Sequence, residues 1–378
     1  MCRCIYTSGI TAGAFLIDSY CGQRLVDEVT LVKQEPVRMK RKVQQLGSST
    51  LAVTVPADWA RTHDVTKGDE ITIQRDNNGG SLVLVPQQPA VRDTEATVDA
   101  DRFAGKALER ALITQYVLGR QLITIEGTTT LGLEHRDGVL AAERQLMGLS
   151  PVEQGGRYIK VRCSVAADDF DLPTLLDRLG RTAASMRQGA LRGLIEDDTN
   201  VARKIISRRQ QVEKLFYLFR RLLFATHRNP RLSQVIGVDT GFPLIGYRAL
   251  VQKIFTMADT AHAIGTIVRD HDGEIPSEAT ADRLQALGSD LDEAISEVRA
   301  AVLDPSHEAT ETARDAFARV DDDIESFHEY LLTERPMPLL VLQRIVDHLE
   351  QSARQGRDML SIATNLALRQ ETEIVSNA

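Results

Sequence analysis

Val43-Gln44-Gln45-Leu46-Gly47-Ser48-Ser49-Thr50-Leu51-Ala52-Val53-Thr54-Val55-Pro56 is the stretch on which the reading of the first part of this chain turns. Leu46-Gly47 interrupts it. Beyond that break Leu51, Val53 and Val55 alternate with Ala52 and Thr54, the period of a half-buried strand, which Pro56 ends. Asp58 to His63 has the length of one or two helical turns, and Lys67-Gly68-Asp69 reads as a turn. Ile71 and Ile73 mark the next strand, Asn77-Asn78-Gly79-Gly80 a hairpin and Leu82–Val85 the last strand. The unit so bounded, 39–86, is about 48 residues long. Chains of that size rarely bury enough surface alone, so a homodimer that exchanges hairpins is expected.

On the N-terminal side, residues 1–38 show neither a clear period nor capping residues. They read as a disordered tail, or as an extension ahead of a start at Met39. Three of the four cysteines (Cys2, Cys4 and Cys21) lie there and only Cys163 lies in the body, so a disulfide framework is not expected and a reducing cytoplasm is. No apolar run reaches the length of a membrane span. The chain of 378 residues is 43% hydrophobic and 26% charged, with net charge −8. Nucleic-acid binding by the chain as a whole is therefore excluded, and any such contact must come from a local basic patch. Between residues 38 and 75, seven cations face four anions.

On the C-terminal side, 87–98 reads as a polar linker. The segment 99–170 reads as a small α/β module: helix 101–118, strand 121–125, helix 136–147, then strands 150–154 and 158–165. From 171 to 372 the period is helical throughout, in six amphipathic stretches near 172–194, 198–227, 240–269, 277–301, 307–333 and 336–369. Asn229-Pro230, Gly241–Pro243, Gly273–Pro276, Asp304-Pro305 and Arg335-Pro336 separate them. The six form two sets of three, a candidate duplication. The fold expected is thus multidomain: a swapped-hairpin β domain, an α/β connector and an all-α pair of three-helix bundles. Asp321-Asp322-Asp323 reads as a charge cluster at a helix N-terminus. Arg203, Lys204, Arg208, Arg209, Lys214, Arg220 and Arg221 read as a solvated basic face, with an acidic partner or DNA as the alternative.

The residues quoted from 43–56, with Trp59 and Lys67-Gly68-Asp69-Glu70-Ile71, resemble the AbrB/SpoVT/MazE swapped-hairpin family. That resemblance implies an interlocked dimer presenting its first loops to DNA, and points to Arg38, Lys40, Arg41, Lys42, Ser48, Ser49 and Arg61. Such cations contact phosphates, and arginine also reads guanine edges. Met186–Leu194 with Val201–Leu222, then Ala258–Ile264, then Asp358 and Asn365–Leu368 resemble PhoU domains. The combination is similar to archaeal (haloarchaeal) phosphate uptake regulators.

PhoU-like bundles carry acidic residues four apart on two helices, able to hold iron or zinc. Here Arg209 stands at the leading position before Glu213, Phe255 before Asp259, and Arg354 follows Glu350. An arginine inside a cation site defeats it electrostatically. The expectation is therefore no intact cluster, no metal ligands and no cofactor, with an ion pair of Glu213 and Asp259 to Arg209 instead. No phosphate loop, dinucleotide fingerprint, nucleophile elbow or His-Glu-x-x-His set occurs, so an enzyme is not expected. The resemblance implies a cytoplasmic DNA-binding regulator of phosphate uptake, with a phosphate transporter or phosphate-signalling protein as a further partner. The alternative is an adaptor docking on such a partner without DNA.

Overall fold

The computed structural model describes residues 39–47, 49–75, 82–86, 94–229, 232–271 and 273–376. Two compact units divide the chain, 1–60 and 61–378. In the first, β1 (Gln44–Leu46) pairs antiparallel with β2 (Thr50–Ala52) in the register Gln44↔Ala52, Gln45↔Leu51 and Leu46↔Thr50. Gly47 turns the hairpin with φ of 79°, a left-handed conformation that glycine takes without strain. The alternation through Val55 does not carry the strand past Ala52: pairing with β1 reaches no further, and Val53 and Val55 stand exposed. The helix α1 (Ala57–Thr62) follows.

In the second unit β3 (Ile71–Arg75) pairs antiparallel with β4 (Leu82–Pro86). The expected Asn77–Gly80 turn and the segment 1–38 lie outside the described residues. Next comes a four-stranded sheet of order β5-β6-β8-β7, from β5 (Glu95–Asp99), β6 (Leu122–Glu126), β7 (Leu149–Gln154) and β8 (Tyr158–Cys163). Its first strand overlaps the end of the segment 87–98 that reads as a linker. β5 is a parallel edge strand whose inward positions are only Ala96 and the buried Val98, a short alternation set among polar residues. The helices α2 (Gly105–Val117) and α3 (Leu133–Gln145) close the module around Leu108, Leu112, Tyr116, Ile123, Ile125, Ala142 and Val161.

Among the described residues seven helices follow: α4 (Leu172–Ile195), α5 (Thr199–Arg228), the short α6 (Leu232–Ile236), α7 (Phe242–Asp270), α8 (Glu278–Leu303), α9 (His307–Thr333) and α10 (Leu339–Ser376). Side chains that accept from the first turn start four of them. They are Asp171 to Thr174 N at 2.8 Å, Asp198 to Asn200 N at 2.9 Å, Ser277 to Thr280 N at 3.4 Å and Ser306 to Ala309 N at 3.2 Å. α4, α5 and α7 pack as one trio and α8, α9 and α10 as another, joined by α7 on α10 and α4 on α8 over one continuous core. Gly356 lets α10 approach α9 closely, because a Cβ there would strike the Phe317 ring. Asp321-Asp322-Asp323 lies in the middle of α9 rather than at its start.

Arginine ties these pieces together. Buried Arg187 on α4 pairs with Asp292 on α8, and burial pushes its pKa down to about 10, still protonated at neutral pH. Buried Arg221 on α5 donates to Tyr116 O at 2.6 Å, Arg120 O at 2.9 Å and Gly119 O at 3.3 Å, and its guanidinium lies 4.9 Å from the Tyr116 ring centroid. Tyr116 lies in the last turn of α2, at the negative end of the helix dipole, and Gly119 and Arg120 follow it. Arg221 thus ties the α/β module to the helices, beside Arg228, which donates to Leu118 O at 3.3 Å. Arg221→Met should destabilise this unit by about 2–4 kcal/mol, because charged hydrogen bonds to buried carbonyls are lost. Arg221→Lys, which cannot span three carbonyls, should recover only part of it. Urea denaturation followed by circular dichroism measures both; wild-type stability in Arg221→Met would contradict the assignment.

Candidate functional site

Lys40, Arg41 and Lys42 are consecutive, exposed residues in irregular chain, separated from β1 by Val43 alone, and Ser49 is exposed in the turn between β1 and β2. Arg61 is exposed in the last turn of α1. Arg38 and Ser48 lie outside the described residues. The structure therefore sets three cations side by side at the root of a hairpin. Apolar side chains flank them without cover: Val43 is 59%, Leu46 60%, Leu51 71% and Val53 58% exposed. In the second unit Ile73 and Leu82 on β3 and β4 are likewise exposed.

The basic series on α5 is not one face. Arg203, Lys204 and Arg208 are exposed, whereas Arg221 is buried in the bond to α2 and Arg220 lies over the Phe216 ring at 5.5 Å.

Whether the first trio could hold a metal cluster is decided by Arg209. Its Nη1 donates to Glu213 Oε1 at 2.6 Å along α5, and its Nε donates to Asp259 Oδ1 at 2.9 Å across to α7. The guanidinium also lies 5.7 Å from the Phe255 ring, which stacks on Phe216 at 4.2 Å. Burial alone would lower the Arg209 pKa, but the two carboxylates outweigh it and hold the group above its usual range. The expected ion pair is present, and a built-in cation occupies the place between the acids. These residues do not fit a metal cluster, and no step is routed through one. His262, one turn along α7, has its pKa held down by burial first and by the Arg209 charge second, with Asp259 opposing.

In the second trio the acids are answered singly: Arg357 pairs with Asp321, Lys253 with Asp358 and Arg354 with Glu350. Sequence reasoning missed one grouping there, His328 of α9 with Asp347 and Glu350 of α10, whose ligand atoms lie within 4.8 Å of one another. The acids three apart were visible in the sequence; the histidine, on another helix, was not.

Comparison with known families gives two matches. Residues 44–91 match the family described as antidote-toxin recognition MazE, bacterial antitoxin, and residues 176–268 match the PhoU domain. The chain thus joins a MazE/AbrB-type segment to a PhoU domain, the latter matched over α4 to α7. No curated protein matches it. Among the described residues no helix is long and apolar enough to cross a membrane.

Because the Arg209 charge helps hold His262 neutral, Arg209→Met should raise the His262 pKa toward the ordinary histidine value of about 6.5. Imidazole shifts followed by NMR across pH 5–8 read this directly, and an unchanged midpoint would contradict the electrostatic account. The linkage has a definite sign. A histidine with a depressed folded pKa is protonated first in the unfolded chain, so its contribution to stability is lost as pH falls through the unfolded value.

Proposed function

We propose that this chain is a cytoplasmic, homodimeric DNA-binding regulator of phosphate uptake or phosphate-responsive genes. Its PhoU part takes the signal from a phosphate transporter or phosphate-signalling protein. It acts by binding, not by catalysis. One observation carries the reading: three exposed cations, Lys40, Arg41 and Lys42, precede a hairpin whose apolar side chains have no cover of their own. A second copy would cover those side chains and present the basic run twice. The match to a MazE-type segment supports pairing of this kind, and the match to PhoU supports the link to phosphate. Arg38, Ser48, Ser49 and Arg61 would complete the surface.

A second reading is favoured by the net charge of −8, which opposes DNA over most of the molecule. In it the chain is an adaptor on the transporter or signalling partner, and the hairpins only join two copies.

Phosphate contacts release counterions, so affinity should fall steeply with salt. The Lys40→Ala, Arg41→Ala, Lys42→Ala triple variant should bind every DNA sequence more weakly. If two chains contribute six contacts, its log–log salt slope should be shallower by about 5. Fluorescence anisotropy over a salt series, on a variant shown by light scattering to retain its assembly state, measures this. Parental affinity at every salt concentration would remove the basic run from the DNA surface and put the adaptor reading first.

A further inference from the structure

The net charge of −8 is spread unevenly over the helices. α4, α5 and α7 carry fifteen lysines and arginines against four carboxylates, whereas α8, α9 and α10 carry eight against nineteen. Within the first trio the excess is concentrated further. No aspartate or glutamate occurs between 178 and 195 on α4 or between 199 and 212 on α5.

Those two stretches form one strip. On α4 the exposed side chains are Arg178, Arg181, Ser185, Gln188 and Arg192, at the alternating three- and four-residue spacing of a single helical face. On α5 Arg203, Lys204, Ser207, Arg208 and Gln211 are exposed at the same kind of spacing. Arg208 Nη1 donates to Ser185 Oγ at 2.8 Å, which sets the two faces side by side. From Arg178 to Arg192 the strip is about 21 Å long at 1.5 Å per residue. Among the described residues, no exposed position on it is apolar.

Unlike Arg187, Arg209, Arg221 and Arg357, these cations are not answered within the chain. Arg181 shares Asp177 with Arg299. Among the described residues Arg178, Arg192, Arg203, Lys204 and Arg208 have no carboxylate within ion-pair reach; Arg203 donates only to Asn200 Oδ1, at 3.1 Å.

We propose that the α4–α5 strip is a contact for the phosphate backbone of duplex DNA, without regard to base sequence. Arginine, lysine, hydroxyl and amide side chains are the groups that hold phosphates. A protein partner would call for apolar or aromatic anchors at the centre of the contact, and the strip offers none. Its length matches about six phosphates of one strand, spaced 3.4 Å along the duplex axis. The inference rests on the regulatory reading for the identity of the partner, but it uses different side chains from Lys40, Arg41 and Lys42, so the two surfaces fail separately.

The test uses the full chain and a mixed-sequence duplex, with fluorescence anisotropy over a salt series. The Arg192→Gln, Arg203→Gln, Lys204→Gln, Arg208→Gln variant should show a log–log salt slope shallower by about 3.6 for each chain engaged. A fourfold rise in salt should then cost the parent roughly a hundredfold more affinity than it costs the variant. Adding the same changes to the Lys40→Ala, Arg41→Ala, Lys42→Ala variant should weaken binding again. Melting temperature and helix content check the fold. Arg192→Glu, Lys204→Glu, at two side chains that bond to nothing among the described residues, should weaken binding likewise. A strip variant with the parent's affinity and slope would overturn this proposal and leave the hairpin surface standing. No duplex binding by the parent would overturn both. Charge-matched poly-L-glutamate bound as tightly as the duplex, and released by the same variant, would overturn it in favour of an acidic protein partner.

Discussion

The account depends on apolar side chains that the N-terminal strands leave in water. Val43, Leu46, Leu51, Val53, Val55, Ile73, Leu82 and Leu84 are all exposed on two short hairpins. Covering eight such side chains is worth on the order of 10 kcal/mol, comparable to the whole stability of a typical domain. A strand segment cannot leave that much unrealised and keep a fixed shape. An identical hairpin has the complementary period, so the proposed dimer would serve folding before it served DNA recognition.

The helical part has no such debt. Its core is continuous over both trios, and its charged residues are largely settled within the chain. Arg187 joins α4 to α8, Arg209 joins α5 to α7, Arg357 joins α9 to α10, and Arg221 fastens α5 to the end of α2. The guanidinium serves well in these places because it presents several donors in a fixed plane and stays charged when buried. The helices therefore meet the α/β module through direct hydrogen bonds from α5 to the end of α2.

Much of this was legible in the sequence, for physical reasons. The six long helices could be read because each buries a stripe of period 3.6 and starts at a side-chain cap or follows a proline break. The loss of the first acidic motif was legible because Arg209 and Phe255 occupy fixed spacings from Glu213 and Asp259. The failures have equally definite causes. β5 escaped notice because its alternation is short and weak, with small Ala96 and Val98 the only inward apolar residues among Glu95, Thr97 and Asp99. The run Leu51–Val55 looked like one strand because its alternation continues past Ala52, where pairing with β1 stops. The basic series on α5 looked like one surface because Arg221 is drawn inward by the carbonyls of α2, a partner far away in sequence. His328 gave no signal at all, since its neighbours belong to another helix.

The most direct test of the central claim is the mass in solution of the full chain beside a Leu51→Asp, Val53→Asp variant, by sedimentation equilibrium at micromolar concentration. The account predicts twice the 41.8 kDa chain mass for the parent. It predicts a single chain mass for the variant, with the helical circular dichroism of both the same. A monomeric parent, or a variant that remains dimeric, would contradict it.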